Sequence, residues 1–143
     1  MTIRVLLVDD ETSFIETLAR RLSIRRLAVH TAGSAEEALE TLGREEIDVA
    51  VLDVKMPGTD GLAATKAIKR RHPLVEVILL SGHANLEASV GGMALGAFDY
   101  LLKPVRLDEL VYKIEDAHRK KTIQEKKIRA LRAAAEAAAE TDA

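Results

Sequence analysis

The stretch Val49-Ala50-Val51-Leu52-Asp53-Val54-Lys55-Met56-Pro57-Gly58 decides how this chain folds. Its apolar, β-favouring run reads as a strand buried on both faces, the mark of a parallel sheet covered by helices. The run delivers one carboxylate, Asp53, and then breaks into a loop at Pro57-Gly58. Asp is depleted in strands, so an Asp closing such a run needs a reason. Taken alone, it serves as well for a loop cap as for chemistry. The other strand ends decide between the two.

Working outward from residues 47–53, four more short apolar runs lie at residues 3–8, 27–31, 75–80 and 97–102. Helical patterns alternate with them. Thr12 or Ser13 is the expected cap of the first, with Phe14, Leu18 and Leu22 as its apolar stripe and Ile15 beside them. Ser34-Ala-Glu-Glu37 is a capping box opening the second, which is expected to stop at Gly43. Asp60-Gly61-Leu62 opens the third, which ends before Pro73. The fourth, from about Asn85 to Met93, carries Leu86, Val90 and Met93 on one face. It also holds Gly91-Gly92, each costing roughly 1 kcal/mol relative to Ala, which predicts the softest helix of the set. The last begins near Leu107 and turns Leu110, Val111 and Ile114 inward. Five strands alternating with five helices predict an α/β fold, a doubly wound parallel sheet.

At 143 residues the chain makes one domain with room for a proper core. A composition 48% hydrophobic and 31% charged excludes a disordered chain. With 21 Lys and Arg against 23 Asp and Glu, there is no global drive toward nucleic acid or an anionic membrane. Cysteine is absent, which removes thiolate metal sites and agrees with a cytoplasmic location. No apolar run approaches membrane-spanning length. Aromatics at 3% leave an aliphatic core and no stacking platform for single-stranded nucleic acid.

In a parallel sheet all carboxyl ends lie at one edge, and ligands bind there where the strand order reverses. In the flavodoxin-like order 2-1-3-4-5, Asp9 and Asp10 from strand one meet Asp53 from strand three. Ser81 from strand four and Lys103 from strand five flank them. Three carboxylates in one pocket raise one another's pKa unless a cation sits among them. Hard oxygen ligands without Cys or a His partner point to Mg²⁺. A carboxylate can attack phosphorus when the charge on the transferring group is neutralised, by the metal on one side and an ammonium such as Lys103 on the other. The Ser81 hydroxyl can donate to a further phosphoryl oxygen.

These residues, with Asp60-Gly61, the run Gly96-Ala-Phe-Asp-Tyr100 and Lys103-Pro104, make residues 3–120 resemble the receiver domain of bacterial two-component response regulators. The resemblance implies that Asp53 accepts a phosphoryl group from a histidine kinase or phosphotransfer protein. It implies Mg²⁺ held by Asp10, Asp53 and the Lys55 carbonyl, with Asp9 supporting through water. It implies Ser81 and Tyr100 as a switch pair, a cis bond before Pro104, and a downstream protein target read through the surface of the fourth helix, fifth strand and fifth helix. In this reading the protein is a switch rather than an enzyme. Three features depart from the family pattern: Ser81 where many members have Thr, Thr59 in place of a common loop Met, and Gly91-Gly92.

Two other functions fit these residues less well. A Mg²⁺-dependent phosphohydrolase with an Asp nucleophile wants a carboxylate two residues after it, and Lys55 stands there. A flavodoxin-like cofactor binder wants Ser, Thr and Gly after strand one, and Asp9-Asp10-Glu11 stand there. The expected organisation is a receiver over residues 1–120 and a charged, Ala-rich helical tail over residues 121–143, with no output domain recognised. Basic residues cluster at Arg119, Lys120, Lys121, Lys126, Lys127, Arg129 and Arg132, but no aromatic or recognition motif suggests contact with nucleic acid. From Leu107 a seven-residue register runs through Ile114, Lys121, Ile128 and Ala135, and Lys121 onward is expected to be free of the receiver. The seam is too short for a strong coiled coil, which predicts a monomer or weak dimer.

Overall fold

The computed structural model describes residues 2–82 and 86–142. Ten elements alternate as read: β1 (Arg4–Val8), α1 (Thr12–Ile24), β2 (Ala28–Ala32), α2 (Ala35–Arg44), β3 (Val49–Asp53), α3 (Gly61–Arg71), β4 (Glu76–Ser81), α4 (Leu86–Ala94), β5 (Asp99–Leu102) and α5 (Leu107–Asp142). The strands pair in parallel in the order β2-β1-β3-β4-β5, the flavodoxin-like topology. The expected start of the fourth helix at Asn85 lies outside the described residues.

Because strand side chains alternate between faces, the sheet feeds two cores. Leu6, Val8, Ala50, Leu52, Val77 and Leu79 join Ala38, Leu42, Ala64 and Ile68 beneath α2, α3 and α4. Val5, Leu7, Val49, Val51, Ile78 and Leu80 join Ile15, Leu22, Leu110 and Ile114 beneath α1 and α5. β3 and β4 are buried along their whole length, as an apolar run without alternation requires.

Several local readings are corrected. The cap of α1 is Glu11, not Thr12 or Ser13, and no side chain caps it. Instead Asp9 Oδ1 accepts from the Glu11 N–H at 3.0 Å, so the acidic pair fixes the turn into the helix. α2 passes through Gly43 and ends on Glu45. Its capping box is half as expected: Ser34 Oγ accepts from Glu37 N–H, while Glu37 Oε2 reaches back to the Gly33 N–H. On α4 the apolar face points outward, with Leu86 79% and Val90 60% exposed. Gly92 is the buried residue of that helix, because a Cβ there would stand 2.5 Å from Leu79 Cδ1. Gly92, a cost to helix propensity, lets α4 lie close on β4.

α5 is one helix of 36 residues. Leu110, Ile114 and Ala117 bury against the sheet as its first turns require. Lys121 is buried too, contrary to the expected free tail from that point. Its Nζ donates to Asp48 Oδ1 at 2.8 Å, and Arg4 donates to the same carboxylate through Nε and Nη2. Beside it, Glu76 pairs with Lys69 at 3.3 Å and Lys120 at 3.2 Å. The amino ends of β1, β3 and β4 thus clamp the helix before it leaves the sheet. From residue 129 to 141 every residue is exposed.

Candidate functional site at the carboxyl ends of the strands

The site is assembled by register. Val8 stands opposite Leu52, Asp53 opposite Leu80, and Ser81 opposite Leu102, so residues that follow or close these strands arrive at one edge. Asp9, Asp10 and Asp53 each offer a carboxylate oxygen within 4.8 Å of the others. Asp53, Asp10, Lys55, Ser81 and Lys103 line one cleft of about 310 Å³ together with Glu11 and Gly82. The residues proposed for chemistry are therefore brought together, apart from Tyr100.

Lys103 Nζ lies 2.8 Å from Asp9 Oδ2 and 3.6 Å from Asp53 Oδ1. Burial disfavours its charge, but the hydrogen bond it donates to Asp9 and the charges of Asp9, Asp53 and Glu11 outweigh that and raise its pKa. Its ammonium also stands 4.3 Å from the centroid of the Phe14 ring. Phe14, read from sequence as part of the α1 stripe, is half-buried and covers the lysine instead. No sequence signal distinguishes the two roles, since the same helical spacing serves both. The Lys103–Pro104 bond is cis.

Asp53 is buried, and burial pushes its carboxyl up; the nearby Asp9 charge adds to this while Lys103 opposes it. Two of the three carboxylates are buried, and among the described residues Lys103 is the cation ion-paired with Asp9 and Asp53. Asp9 already accepts from Lys103 and from the Glu11 N–H, which leaves Asp10 and Asp53 as the better-placed oxygen donors. An all-oxygen donor set of this charge fits a hard divalent ion such as Mg²⁺.

The start of α3 packs closely on the backbone of Asp53 and Val54, and the Gly61 N–H donates to the Val54 carbonyl at 2.8 Å. A Cβ at Gly61 would stand 2.4 Å from the Asp53 carbonyl oxygen and 2.7 Å from Val54 Cα, so glycine is required where α3 begins beside the site. Asp60 caps that helix by accepting from the Ala63 N–H. Thr59, the departure noted in the sequence, donates to Glu36 Oε1 at 2.7 Å and ties the loop to α2. That bond holds the Glu36 carboxyl below its usual range.

Ser81 is buried at the end of β4, and its carbonyl accepts from the Lys103 N–H at 2.7 Å. Tyr100 packs against the core beneath α2, α3 and α4. Its hydroxyl is buried with no hydrogen-bond partner among the described residues. Tyr100 thus points inward in this structure.

Comparison with known proteins follows the same lines. Residues 5–115 match the family model of the response regulator receiver domain. Over 113 residues the chain is 43% identical to the DNA-binding transcriptional regulator NtrC of Escherichia coli K12, covering 79% of this chain and 24% of that protein. It is 38% identical to a putative NtrX-like response regulator of Rickettsia conorii over 109 residues, covering 75% and 23% respectively. The chain therefore spans about a quarter of the length of these relatives. Among solved structures, a CheY-like receiver domain protein from Methanospirillum hungatei superposes with a TM-score of 0.82 at 28% identity, covering 87% of this chain and 99% of that one. NtrX from Brucella abortus superposes with a TM-score of 0.82 at 32% identity, covering 88% and 29%.

Proposed function

This chain belongs to the response regulator receiver family, and from that premise we propose that Asp53 is its phosphoacceptor, served by Lys103 and Ser81. The chain is a receiver of the two-component type, homologous to NtrC and NtrX regulators. The observation that carries the residue assignment is the charge deficit at the carboxyl edge, where Asp53 is buried, crowded by Asp9 and 3.6 Å from Lys103. Asp9, bonded to Lys103, is a support rather than a nucleophile.

In the proposed reaction a carboxylate oxygen of Asp53 attacks phosphorus. The phosphorus–nitrogen bond of a phosphohistidine donor breaks, and the electron pair leaves with the imidazole. Asp10 and Asp53, with the Lys55 carbonyl, are the residues that would hold Mg²⁺. When bound, the ion supplies positive charge against the phosphoryl oxygens. The Lys103 ammonium needs only a small shift away from Asp9 to pair with a phosphoryl oxygen. Phe14 keeps water from its far side, and Ser81, which lines the same cleft, can donate its hydroxyl to another phosphoryl oxygen.

The readout follows from the same neighbourhood. A phosphoryl group on Asp53 recruits Ser81 and changes the space beside Tyr100, whose orphaned hydroxyl makes its position easy to shift. The exposed apolar residues Leu86, Val90 and Met93 on α4, Leu102 on β5 and Tyr112 on α5 then form a surface for a downstream protein. The proposed donor is a histidine kinase or phosphotransfer protein, and the proposed setting is the cytoplasm. No helix among the described residues is long and apolar enough to cross a membrane.

Intact-mass measurement after incubation with acetyl phosphate and Mg²⁺ tests the assignment. One phosphoryl group is expected on the unmodified chain, and none on Asp53→Asn or in the presence of chelator. Full labelling of Asp53→Asn would move the acceptor to another residue.

A further inference from the structure

We propose that Phe14 is a positioning residue for phosphoryl transfer, whose ring holds the Lys103 ammonium desolvated but uncommitted and so sets how fast Asp53 is phosphorylated. The inference rests on the reading of Asp53 as phosphoacceptor served by Lys103, and adds to it a residue from the middle of a helical stripe. The first observation is that Phe14 does not pack as its spacing suggests. Helix α1 turns Ile15 and Leu22 into the core beneath α1 and α5, with Leu18 packed against it. Among the described residues Phe14 belongs to neither core. It is half-buried, and the Lys103 ammonium stands over its ring, 4.3 Å from the centroid. The other phenylalanine, Phe98, packs against the core, and the cation over its ring, Lys120, is farther off at 5.8 Å.

The second observation is the set of neighbours around that ammonium, on a side chain only 16% exposed. Lys103 Nζ donates to Asp9 at 2.8 Å and stands 3.6 Å from Asp53. An ammonium has three N–H donors, so an oxygen in the place of the ring would accept one of them and hold the lysine where it is. A ring face offers negative potential without a directional acceptor. It offsets the burial of the charge and leaves the ammonium free to tilt from Asp9 toward a phosphoryl oxygen. With a weaker ring the lysine leans harder on Asp9, and the tilt that phosphoryl transfer needs becomes more costly.

The third observation is that Phe14 stands between two spaces. It lines a surface groove of about 210 Å³ with Leu18, Arg21, Pro104 and Val105. It also lines a void of about 10 Å³ that reaches Asp9 and Asp53. The ring is therefore a wall between the open groove and the buried carboxylates. A smaller side chain would admit water to the far side of the ammonium, and hydration there weakens the field it presents to a phosphoryl group.

The test uses acetyl phosphate with Mg²⁺ and the full chain, because so small a donor needs no docking surface. An Asp53 oxygen bonds to phosphorus as the bond from phosphorus to the acetate oxygen breaks, and acetate leaves with the electron pair. Replacing the residue at position 14 by 4-fluoro- and then 3,4,5-trifluorophenylalanine drains negative potential from the ring face with little change of size. The rate of labelling, followed by intact mass, should fall stepwise along this series. It should reach about a tenfold loss with the trifluoro ring or with Phe14→Leu, the worth of a partly desolvated cation–π contact. Phe14→Tyr, which keeps the ring face, should keep the rate, and trifluorophenylalanine at position 98 should leave it unchanged. The melting temperature and the Mg²⁺ concentration for half-maximal rate should not move in the fluorinated proteins. A rate indifferent to fluorination at position 14, or one that falls only together with the melting temperature, overturns the inference while leaving Asp53 as acceptor. Slowing seen with a phosphohistidine protein donor but not with acetyl phosphate would make Phe14 a docking residue and overturns it equally. An unmodified chain that takes no label overturns the acceptor assignment itself.

Discussion

The two ends of the same sheet each bury two carboxylates, and they treat them in opposite ways. At the amino end, Asp48 is held by Arg4 and Lys121, and Glu76 by Lys69 and Lys120. Burial alone would push Asp48 up, but the hydrogen bonds from Arg4 and Lys121 outweigh it and lower its pKa to about 2. At the carboxyl end, Asp9 and Asp53 share Lys103 with the exposed Asp10 alongside, and Asp53 is pushed up. A matched set of charges staples structure together. A deficient set is held folded by the rest of the protein and waits for positive charge from outside.

The largest effect that could break this comparison is a pair of isosteric substitutions. Asp48→Asn leaves Arg4 and Lys121 without their shared carboxylate and should cost about 3 kcal/mol in chemical denaturation. Asp53→Asn removes a crowded charge and, without divalent metal, should leave the protein as stable as before or more so. Losses of similar size at both positions would erase the distinction.

A somewhat smaller effect is expected in acid. Asp48 has its folded pKa depressed to about 2 from an ordinary value of 3.8. It therefore contributes stability above pH ~4 that is lost as pH falls toward about 2, and the full loss is about 2 kcal/mol. Asp48→Asn should flatten this part of the stability profile, whereas Asp53→Asn should leave it in place. An unchanged acid limb in Asp48→Asn would place the linkage on other carboxylates.

The smallest effects sharpen the picture of α4, the helix beside the deficient end. At Gly91 an added Cβ comes no nearer than 3.9 Å to Leu62, so Gly91→Ala should stabilise by up to about 1 kcal/mol. At Gly92 the added Cβ would meet Leu79, and Gly92→Ala should be destabilising. Thermal melts of both variants check the pair. Equal gains would mean that α4 does not lie close on β4.

What could be read from the sequence follows from the same contrast. Asp9, Asp10, Asp53, Ser81 and Lys103 were legible because parallel strands send all their carboxyl ends to one edge, so a strand-end residue announces its neighbours. The amino-end cluster was not legible. Asp48 lies just before a strand, and its partner Lys121 comes 73 residues later on a helix whose register alone does not say where the sheet stops. Which way the α4 stripe faces was not legible for a related reason: an apolar stripe identifies a face, but a glycine can be the residue that packs. Phe14 satisfied a helical stripe while serving Lys103, and the buried hydroxyl of Tyr100 depends on side-chain placement that no spacing encodes.

The most direct test of a charge-deficient site opposite a charge-matched staple is the rise in melting temperature caused by Mg²⁺. It should be compared among the unmodified chain, Asp10→Asn and Lys121→Met. Binding to the folded state alone stabilises by about 2.7 kcal/mol at one hundred times the dissociation constant. Lys121→Met should melt lower than the unmodified chain yet keep the full Mg²⁺-dependent rise, while Asp10→Asn should lose most of that rise. A full rise in Asp10→Asn, or its loss in Lys121→Met, would contradict the account.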